Sequence, residues 1–143
     1  SVSSQIRYGE KVYSPVIELG GADLMVSFEQ MEALRWLEYL RPDGKIIVND
    51  YRINPMPVVS AKAAYPDGIF EELSSNVPTK IVDAAAEAVK LGNPKVMNII
   101  MLGATTKLMD LMGVDWSGII RQNVKPAFVD VNIRALQRGQ DLV

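Results

Sequence analysis

The fold is decided by one stretch of the sequence, residues 22–50, which reads ADLMVSFEQMEALRWLEYLRPDGKIIVND. Its first part, residues 22–28, is a mostly apolar run of the length expected for a central strand covered on both faces. Residues 29–40 are rich in helix formers and repeat large apolar side chains on one side. After a turn at residues 41–44, residues 45–49 again form a short apolar run. The stretch therefore predicts strand, helix and strand.

A strand, a helix and a strand with short connections form a βαβ unit, so we expect the two strands to be parallel and joined by a right-handed crossover. The fold class is therefore α/β, and we predict a three-layer α/β/α domain with a mostly parallel sheet over residues 1–143. The carboxyl ends of the two strands share one edge, where open α/β sheets place their sites. That edge carries Phe28, Glu29, Asn49, Asp50, Tyr51 and Arg52.

Shorter signals place the remaining elements of the first two thirds of the chain. The alternation from Val2 to Tyr8, followed by Gly9 and residues 11–14, predicts a β-hairpin that Pro15 ends. Further along, we expect a short strand at 58–59, a short helix at 69–73, a strand at 80–83 and a helix at 84–91 that ends at Gly92.

The last third of the chain is predicted to be helical. Asn93-Pro94 is typical of a helix start, because the Asn side chain caps and proline fits the first turn. The helix from residue 95 to about 112 is apolar on nearly every face, so something must cover it, either the core of this domain or a partner. Gly103 and Ala104 would let another backbone approach closely. A short helix from Asp115 or Ser117 and a last one at 127–138 complete the prediction.

Composition excludes several classes of chemistry. The sequence has no Cys and no His, which excludes disulfides, thiolate nucleophiles, cysteine-held iron–sulfur clusters, ordinary zinc sites and imidazole acid–base catalysis. The formal net charge is −2 with both signs interspersed, so nucleic acid is not an expected partner. No apolar run approaches the roughly 20 residues that cross a bilayer, and we expect no membrane contact and a cytoplasmic location.

The candidate site residues each have a simpler interpretation. Glu29 could act as an acid or a base, yet a glutamate at a helix start is also favoured by the helix dipole. Asn49, Asp50 and Arg52 could orient an anionic ligand or a neighbouring subunit, or could form a solvated turn. Asp43-Gly44 is interpreted as the turn between helix and strand rather than as part of a magnesium–diphosphate motif. Gly20-Gly21 is a loop without a phosphate-binding pattern.

Several segments together resemble one family. They are RYGEKVYSP at 7–15, GAD at 21–23, FEQMEALR at 28–35, IVN at 47–49, RINP at 52–55, GNP at 92–94, LGA at 102–104 and VN at 131–132. In order and spacing they resemble the gamma-type domain of the 2-oxoacid:ferredoxin oxidoreductases, and within that family they are most similar to the small (beta) subunit of indolepyruvate oxidoreductase. The resemblance covers essentially the whole chain, although the family's first strand and glycine-rich turn have no counterpart before Ser1.

The resemblance implies a non-catalytic but required subunit of an oxidoreductase that decarboxylates a 2-oxoacid to an acyl-coenzyme A. Thiamine diphosphate, magnesium and the iron–sulfur clusters are then expected on the large (alpha) subunit, and ferredoxin is reached through the complex. No metal ligand or catalytic group is expected on this chain, and Glu29, Asn49 and Arg52 are the residues predicted to face the substrate or the partner. Two alternatives stay open, namely a gamma subunit for pyruvate, 2-oxoglutarate or branched-chain oxoacids, and a stand-alone nucleotide- or metabolite-binding module.

Overall fold

The structure, a computed structural model, describes residues 3–8, 10–14, 16–50 and 68–143. Its strands are β1 (Ala22–Ser27), β2 (Leu40–Asn49) and β3 (Thr79–Val82). Its α-helices are α1 (Gln30–Arg35), α2 (Ile69–Asn76), α3 (Ala84–Lys90), α4 (Met97–Leu108), α5 (Trp116–Asn123) and α6 (Val129–Asp141). Single turns of 3₁₀ helix lie at Leu37–Tyr39, Pro94–Val96 and Pro126–Phe128.

The three strands form a parallel sheet in the order β1-β2-β3. Val26 lies opposite Ile47, and Val48 lies opposite Ile81. The predicted parallel βαβ unit is therefore confirmed. The prediction that the first strand is central is wrong for the described residues, because β2 pairs on both sides while β1 is an outer strand. An apolar run shows that a strand is covered by other layers, but not how many strands flank it.

Helices cover both faces of the sheet, which confirms the three-layer arrangement. Alternate residues of β2 point to opposite faces. Ile46 and Val48 pack with apolar residues of α1 and α2. Ile47 packs on the other face with apolar residues of α3, α4 and α6. The two clusters are the two halves of the core, and β2 passes between them.

The predicted helix over residues 29–40 is too long. α1 ends at Arg35, and Leu40 already pairs with Ala22 as the first residue of β2. The next pair is Leu24 with Lys45, so an advance of two residues along β1 corresponds to five residues along β2. Asp43-Gly44 is therefore part of a bulge inside the strand and not the helix-to-strand turn.

The predicted hairpin near the N-terminus is wrong for the described residues, since neither 3–8 nor 10–14 contains a strand. The Arg7 guanidinium ties this segment together instead, with Nη1 donating to the carbonyl oxygen of Val16 at 3.0 Å and to Glu18 Oε2 at 3.3 Å. The pairing of an alternating strand is strongly specified where one face is buried, whereas Ile6 and Tyr13 are 80% and 91% exposed. The predicted strand at 58–59 lies outside the described residues.

The second half of the chain follows the prediction closely. The helix at 69–73, the strand at 80–83 and the helix that ends before Gly92 are all present, with shifts of one to three residues at their ends. Asn93 accepts a hydrogen bond from the Lys95 backbone N–H at 2.9 Å and so starts the helical segment. α4 ends at Leu108, four residues early, because the backbone of Asp110 turns into the left-handed region at φ 56°.

The central position of α4 confirms the core interpretation of this apolar helix. Ile100 and Met101 are almost completely buried. A Cβ atom added to Gly103 would meet the backbone of Leu136 in α6, and one added to Gly139 of α6 would meet the backbone of Ile100. The predicted close approach at Gly103 is therefore real, and Gly139 makes the matching approach from the other side.

Candidate functional site

Polar residues follow each strand of the sheet at its carboxyl edge. Glu29 comes two residues after β1, Asp50 one residue after β2, and Asp83 one residue after β3. Because the strands are parallel, these residues share the edge where α/β sheets present their sites. The structure thus brings two of the predicted site residues, Glu29 and Asn49, to the same edge. Arg52, the third, lies outside the described residues.

Asn49 is fully buried and its side chain is hydrogen-bonded inside the domain. Its amide nitrogen donates to the carbonyl oxygen of Phe28 at 3.3 Å and lies 3.5 Å from the sulfur of Met97. Its amide oxygen accepts from the Ala84 backbone N–H at 3.0 Å. Asn49 therefore ties the end of β1, the start of α3 and the start of α4 to one point. Asn49 therefore holds the elements of the edge in position.

Glu29 is the N-terminal cap of α1 and is 8% exposed. Its Oε2 accepts from the Glu32 backbone N–H at 3.1 Å, and its backbone oxygen accepts from the Ser27 hydroxyl at 2.6 Å. The helix-start interpretation of Glu29 therefore accounts for one carboxylate oxygen. The other, Oε1, is buried and has no hydrogen-bond partner among the described residues.

Gln30 is a site residue that the sequence analysis did not single out. It is 1% exposed, and its amide nitrogen donates to Asp50 Oδ1 at 3.0 Å. Its amide oxygen, like Glu29 Oε1, is buried and lacks a partner within the described part of the chain. A polar residue in the first turn of a helix is ordinary in a sequence, and only the parallel sheet brings Asp50 close to it. No local signal could have revealed the pair.

Neither of two clefts on the described surface includes the edge residues above. One, of about 240 Å³, lies where the segments leading into α4 and α6 meet and is lined by Asn93, Lys95, Val96, Val124, Phe128 and Asn132. The other, of about 270 Å³, lies at the amino end of β3 beside the middle of β2 and is lined by Lys45, Pro78, Thr79, Lys80 and Leu108. Glu29 and Gln30 therefore form an edge of the sheet and not the wall of either cleft.

A resident metal finds no suitable ligands in the described residues, which contain no group of three or more His, Cys, Asp or Glu side chains able to hold one. Iron–sulfur clusters need thiolates, and the sequence contains no cysteine. The described residues therefore do not fit a metal ion, the sequence does not fit a cysteine-held cluster, and no chemical step is assigned to either group.

One ion pair that shifts the pKa of a carboxyl group lies away from the edge. Arg138 Nε of α6 donates to Glu87 Oε2 of α3 at 2.7 Å, and Lys90 Nζ lies 3.4 Å from the other oxygen. The hydrogen bond from Arg138, with help from Lys90, holds the pKa of Glu87 below its ordinary value. This pair links two helices of the same layer and is structural.

Comparison with known proteins assigns the family. The model of the pyruvate ferredoxin/flavodoxin oxidoreductase family matches residues 1–142. The chain belongs to this family. It is 33% identical to indolepyruvate oxidoreductase subunit IorB of Pyrococcus horikoshii, over 97% of this chain and 72% of that protein. The same subunit of Thermococcus kodakarensis is also 33% identical, with the same coverage. The resemblance inferred from the sequence is thereby confirmed, and with it membership of an oxidoreductase family.

Solved structures show the same fold. The gamma subunit of a keto/oxoacid ferredoxin oxidoreductase from Geobacter sulfurreducens matches with a TM-score of 0.61 at 20% identity, over 86% of this chain and 64% of that one. Pyruvate oxidoreductase subunit PORC of Thermotoga maritima matches with a TM-score of 0.59 at 24% identity, over 83% and 62%. This chain therefore spans less than two thirds of either structure. The α/β fold itself is shared.

A third structure contains the fold as part of a much longer chain. The 2-oxoglutarate:ferredoxin oxidoreductase of Magnetococcus marinus matches 93% of this chain but only 21% of its own length, with a TM-score of 0.66 at 14% identity. The fold therefore occurs both in separate subunits and as one part of a larger polypeptide.

Proposed function

We propose that this chain is the small subunit of a 2-oxoacid:ferredoxin oxidoreductase and that its oxoacid is indolepyruvate. The observation that carries the proposal is the similarity to IorB subunits, at 33% identity over 97% of the chain. The family match over residues 1–142 supports the same enzyme class. The reaction of the assembled enzyme is the oxidative decarboxylation of the oxoacid to an acyl-coenzyme A, with ferredoxin as electron acceptor.

The division of labour between subunits follows from the side chains present. A chain without cysteine cannot ligate an iron–sulfur cluster, so electron transfer is proposed for the large subunit, together with thiamine diphosphate and magnesium. This chain supplies structure: the carboxyl edge of its sheet is proposed to face the partner or the substrate through Glu29 and Arg52, while the buried Asn49 holds that edge in place.

The location proposed for the enzyme is the cytoplasm, where ferredoxin and coenzyme A are available. Within the described residues, no helix is long and apolar enough to cross a bilayer. No contact with nucleic acid is proposed, since acidic and basic residues are interspersed along the sequence and the net charge is −2.

Co-expression with the large subunit tests the proposal. The two chains are expected to co-purify in a fixed ratio and to reduce a viologen dye when indolepyruvate, coenzyme A and thiamine diphosphate are supplied. Pyruvate, 2-oxoglutarate and a branched-chain oxoacid serve as a matched panel. A complex that prefers one of these acids would replace indolepyruvate as the substrate but keep the subunit assignment.

Calorimetry on the isolated chain separates this proposal from that of a binding module that works alone. The subunit is expected to bind nucleotides and coenzyme A weakly or not at all in the absence of its partner. Tight binding by the isolated chain, combined with failure to associate with the large subunit, would contradict the proposed function.

A further inference from the structure

One cleft on the described surface combines apolar walls with a few polar groups. It is the cleft of about 240 Å³ where the segments leading into α4 and α6 meet. Its apolar part is formed by Val96, Val124 and Phe128, whose ring side is 47% exposed. Its polar part is supplied by Asn93, Lys95 and Asn132. Concave sites of this composition are typical of small-molecule binding, because the apolar walls hold the body of a ligand and the polar groups orient it.

The cleft lies at the end of the domain where the sheet has its carboxyl edge. Val96 of its wall directly precedes α4, and the sulfur of Met97, the first residue of α4, lies 3.5 Å from Asn49 Nδ2. Asn49 is the last residue of β2. Open α/β sheets place their ligands at this end. The cleft therefore lies near the carboxyl edge, although it is formed by other residues.

Lys95 gives one side of the cleft a positive charge. Its side chain is exposed and forms no ion pair within the described residues. Beside it, Asn93 Oδ1 accepts from the Lys95 backbone N–H at 2.9 Å, which leaves the Asn93 amide nitrogen as a second donor. Hydrogen bonds from an ammonium are stronger when the acceptor is charged as well. This side of the cleft therefore favours an anionic group such as a carboxylate.

Asn132 requires the opposite kind of partner, a hydrogen-bond donor. The residue is only 9% exposed, and its Nδ2 donates to the carbonyl oxygen of Phe128 at 2.8 Å. This bond fixes the orientation of the amide, so Oδ1 is an acceptor. No described residue donates to Oδ1. A ligand that packs against Phe128 satisfies this oxygen when its ring carries an N–H group.

We infer that this cleft binds an indole ring that carries a carboxylate side chain. The carboxylate pairs with Lys95, the flat ring packs on Phe128 and the two valines, and the ring N–H donates to Asn132 Oδ1. The choice of indole among rings with an N–H group rests on the proposed function, whose oxoacid is indolepyruvate. The small subunit then has an affinity of its own for the acid, while the catalytic groups belong to the large subunit.

Titration of the full isolated chain with indoleacetate, followed by nuclear magnetic resonance of the backbone amides, tests the site. Indoleacetate is a stable acid with the same ring and is not a substrate for decarboxylation at a 2-oxo group. We expect saturable binding with a dissociation constant of about 0.1–1 mM, the range for a ligand of this size in an open cleft. The largest shifts are expected in residues 93–97 and 124–132. Binding that does not saturate, or shifts confined to other parts of the chain, would overturn the inference.

Two altered ligands and one variant test the polar contacts separately. Indoleacetamide has no charge, and benzofuranacetate has a ring oxygen in place of the N–H, so each is expected to bind roughly tenfold more weakly than indoleacetate. Lys95→Gln is expected to lose the same factor for indoleacetate but nothing for indoleacetamide, because that ligand lacks the charge with which Lys95 pairs. Lys125→Gln is the matched control, since Lys125 is an exposed lysine just before α6 that does not line the cleft.

The inference is overturned when Lys95→Gln and Lys125→Gln bind indoleacetate equally well, or when benzofuranacetate binds as tightly as indoleacetate. Failure of the proposed function gives a different result. A complex with the large subunit that oxidises another acid and not indolepyruvate would refute the proposed substrate. The titration of the isolated chain would still decide whether the cleft binds an indole acid, because that measurement needs neither the large subunit nor turnover.

Discussion

Replacing Gly139 by alanine is expected to force α6 away from α4. The new Cβ would overlap the backbone carbonyl oxygen of Ile100 and lie 2.9 Å from the backbone nitrogen of Ala104. Both atoms belong to the α4 backbone, so no side-chain rotation can relieve the overlap. Overpacking costs about 1–3 kcal/mol, and a rigid obstacle favours the upper end. Alanine returns up to about 1 kcal/mol through helix propensity, which leaves a net loss of about 2 kcal/mol.

Thermal and urea unfolding of the purified chain measure this loss. For a domain of 143 residues, a change of about 2 kcal/mol lowers the midpoint of thermal unfolding by roughly 5–10 °C. Gly113→Ala is the matched control, because nothing lies within 4 Å of a Cβ at that position. The reasoning is refuted if Gly139→Ala and Gly113→Ala unfold at the same temperature, since the two helices would then not be in backbone contact.

Three further variants test other parts of the structure. Asn49→Ala leaves the Ala84 backbone N–H and the Phe28 carbonyl oxygen without their partner. It is expected to lower the free energy of unfolding in urea by about 3 kcal/mol. An unchanged free energy would show that Asn49 does not hold β1, α3 and α4 together. Glu87→Gln is expected to lower the unfolding temperature at pH 7, and the difference from the unmodified chain should shrink below pH 4.5. The Arg138 hydrogen bond lowers the pKa of Glu87 in the folded protein, so the ionised carboxylate stabilises the fold at any pH above its pKa in the unfolded chain. This stabilisation is lost as the pH falls through the pKa of the folded protein. A difference in unfolding temperature that does not depend on pH would contradict the argument. Arg52→Ala in the assembled enzyme is expected to reduce oxoacid-dependent viologen reduction, and unchanged kinetics with unchanged assembly would reject its assignment to the site.

The parallel sheet could be predicted because its evidence is local. The apolar runs at 22–28 and 45–49 have the length of buried strands, and the helical pattern between them permits only a crossover. The exact position of the turn between the helix and the second strand could not be predicted. Asp43-Gly44 is typical of a connection, yet Leu40 already pairs with Ala22, so the same residues form a bulge inside β2.

The prediction of an N-terminal hairpin was wrong because an alternating pattern does not specify which layer buries its apolar side. Ile6 and Tyr13 follow the pattern of a strand but have no layer to pack on within the described residues. By contrast, Gly103 was predicted as a point of close approach because it interrupts an apolar helix. Gly139 was missed since a glycine near the end of an amphipathic helix is unremarkable until its partner helix is in place.

The candidate site was predicted only in part. The rule that open α/β sheets place their sites at the carboxyl ends of the strands located the edge, and Glu29 and Asn49 lie there. Their roles could not be derived, because the hydrogen bonds of Asn49 reach residues up to 48 positions away and the Gln30–Asp50 contact spans 20 positions. Such contacts are set by tertiary packing and leave no periodic signal in the sequence.

The most direct test of the central claim is indolepyruvate-dependent dye reduction by three preparations: this chain alone, the large subunit alone, and the two combined. Each receives thiamine diphosphate, magnesium and coenzyme A. We predict turnover only in the combined preparation, because this sequence has no cysteine to hold the iron–sulfur clusters that pass electrons to the acceptor. Turnover by this chain alone, or full activity of the large subunit without it, would contradict the account.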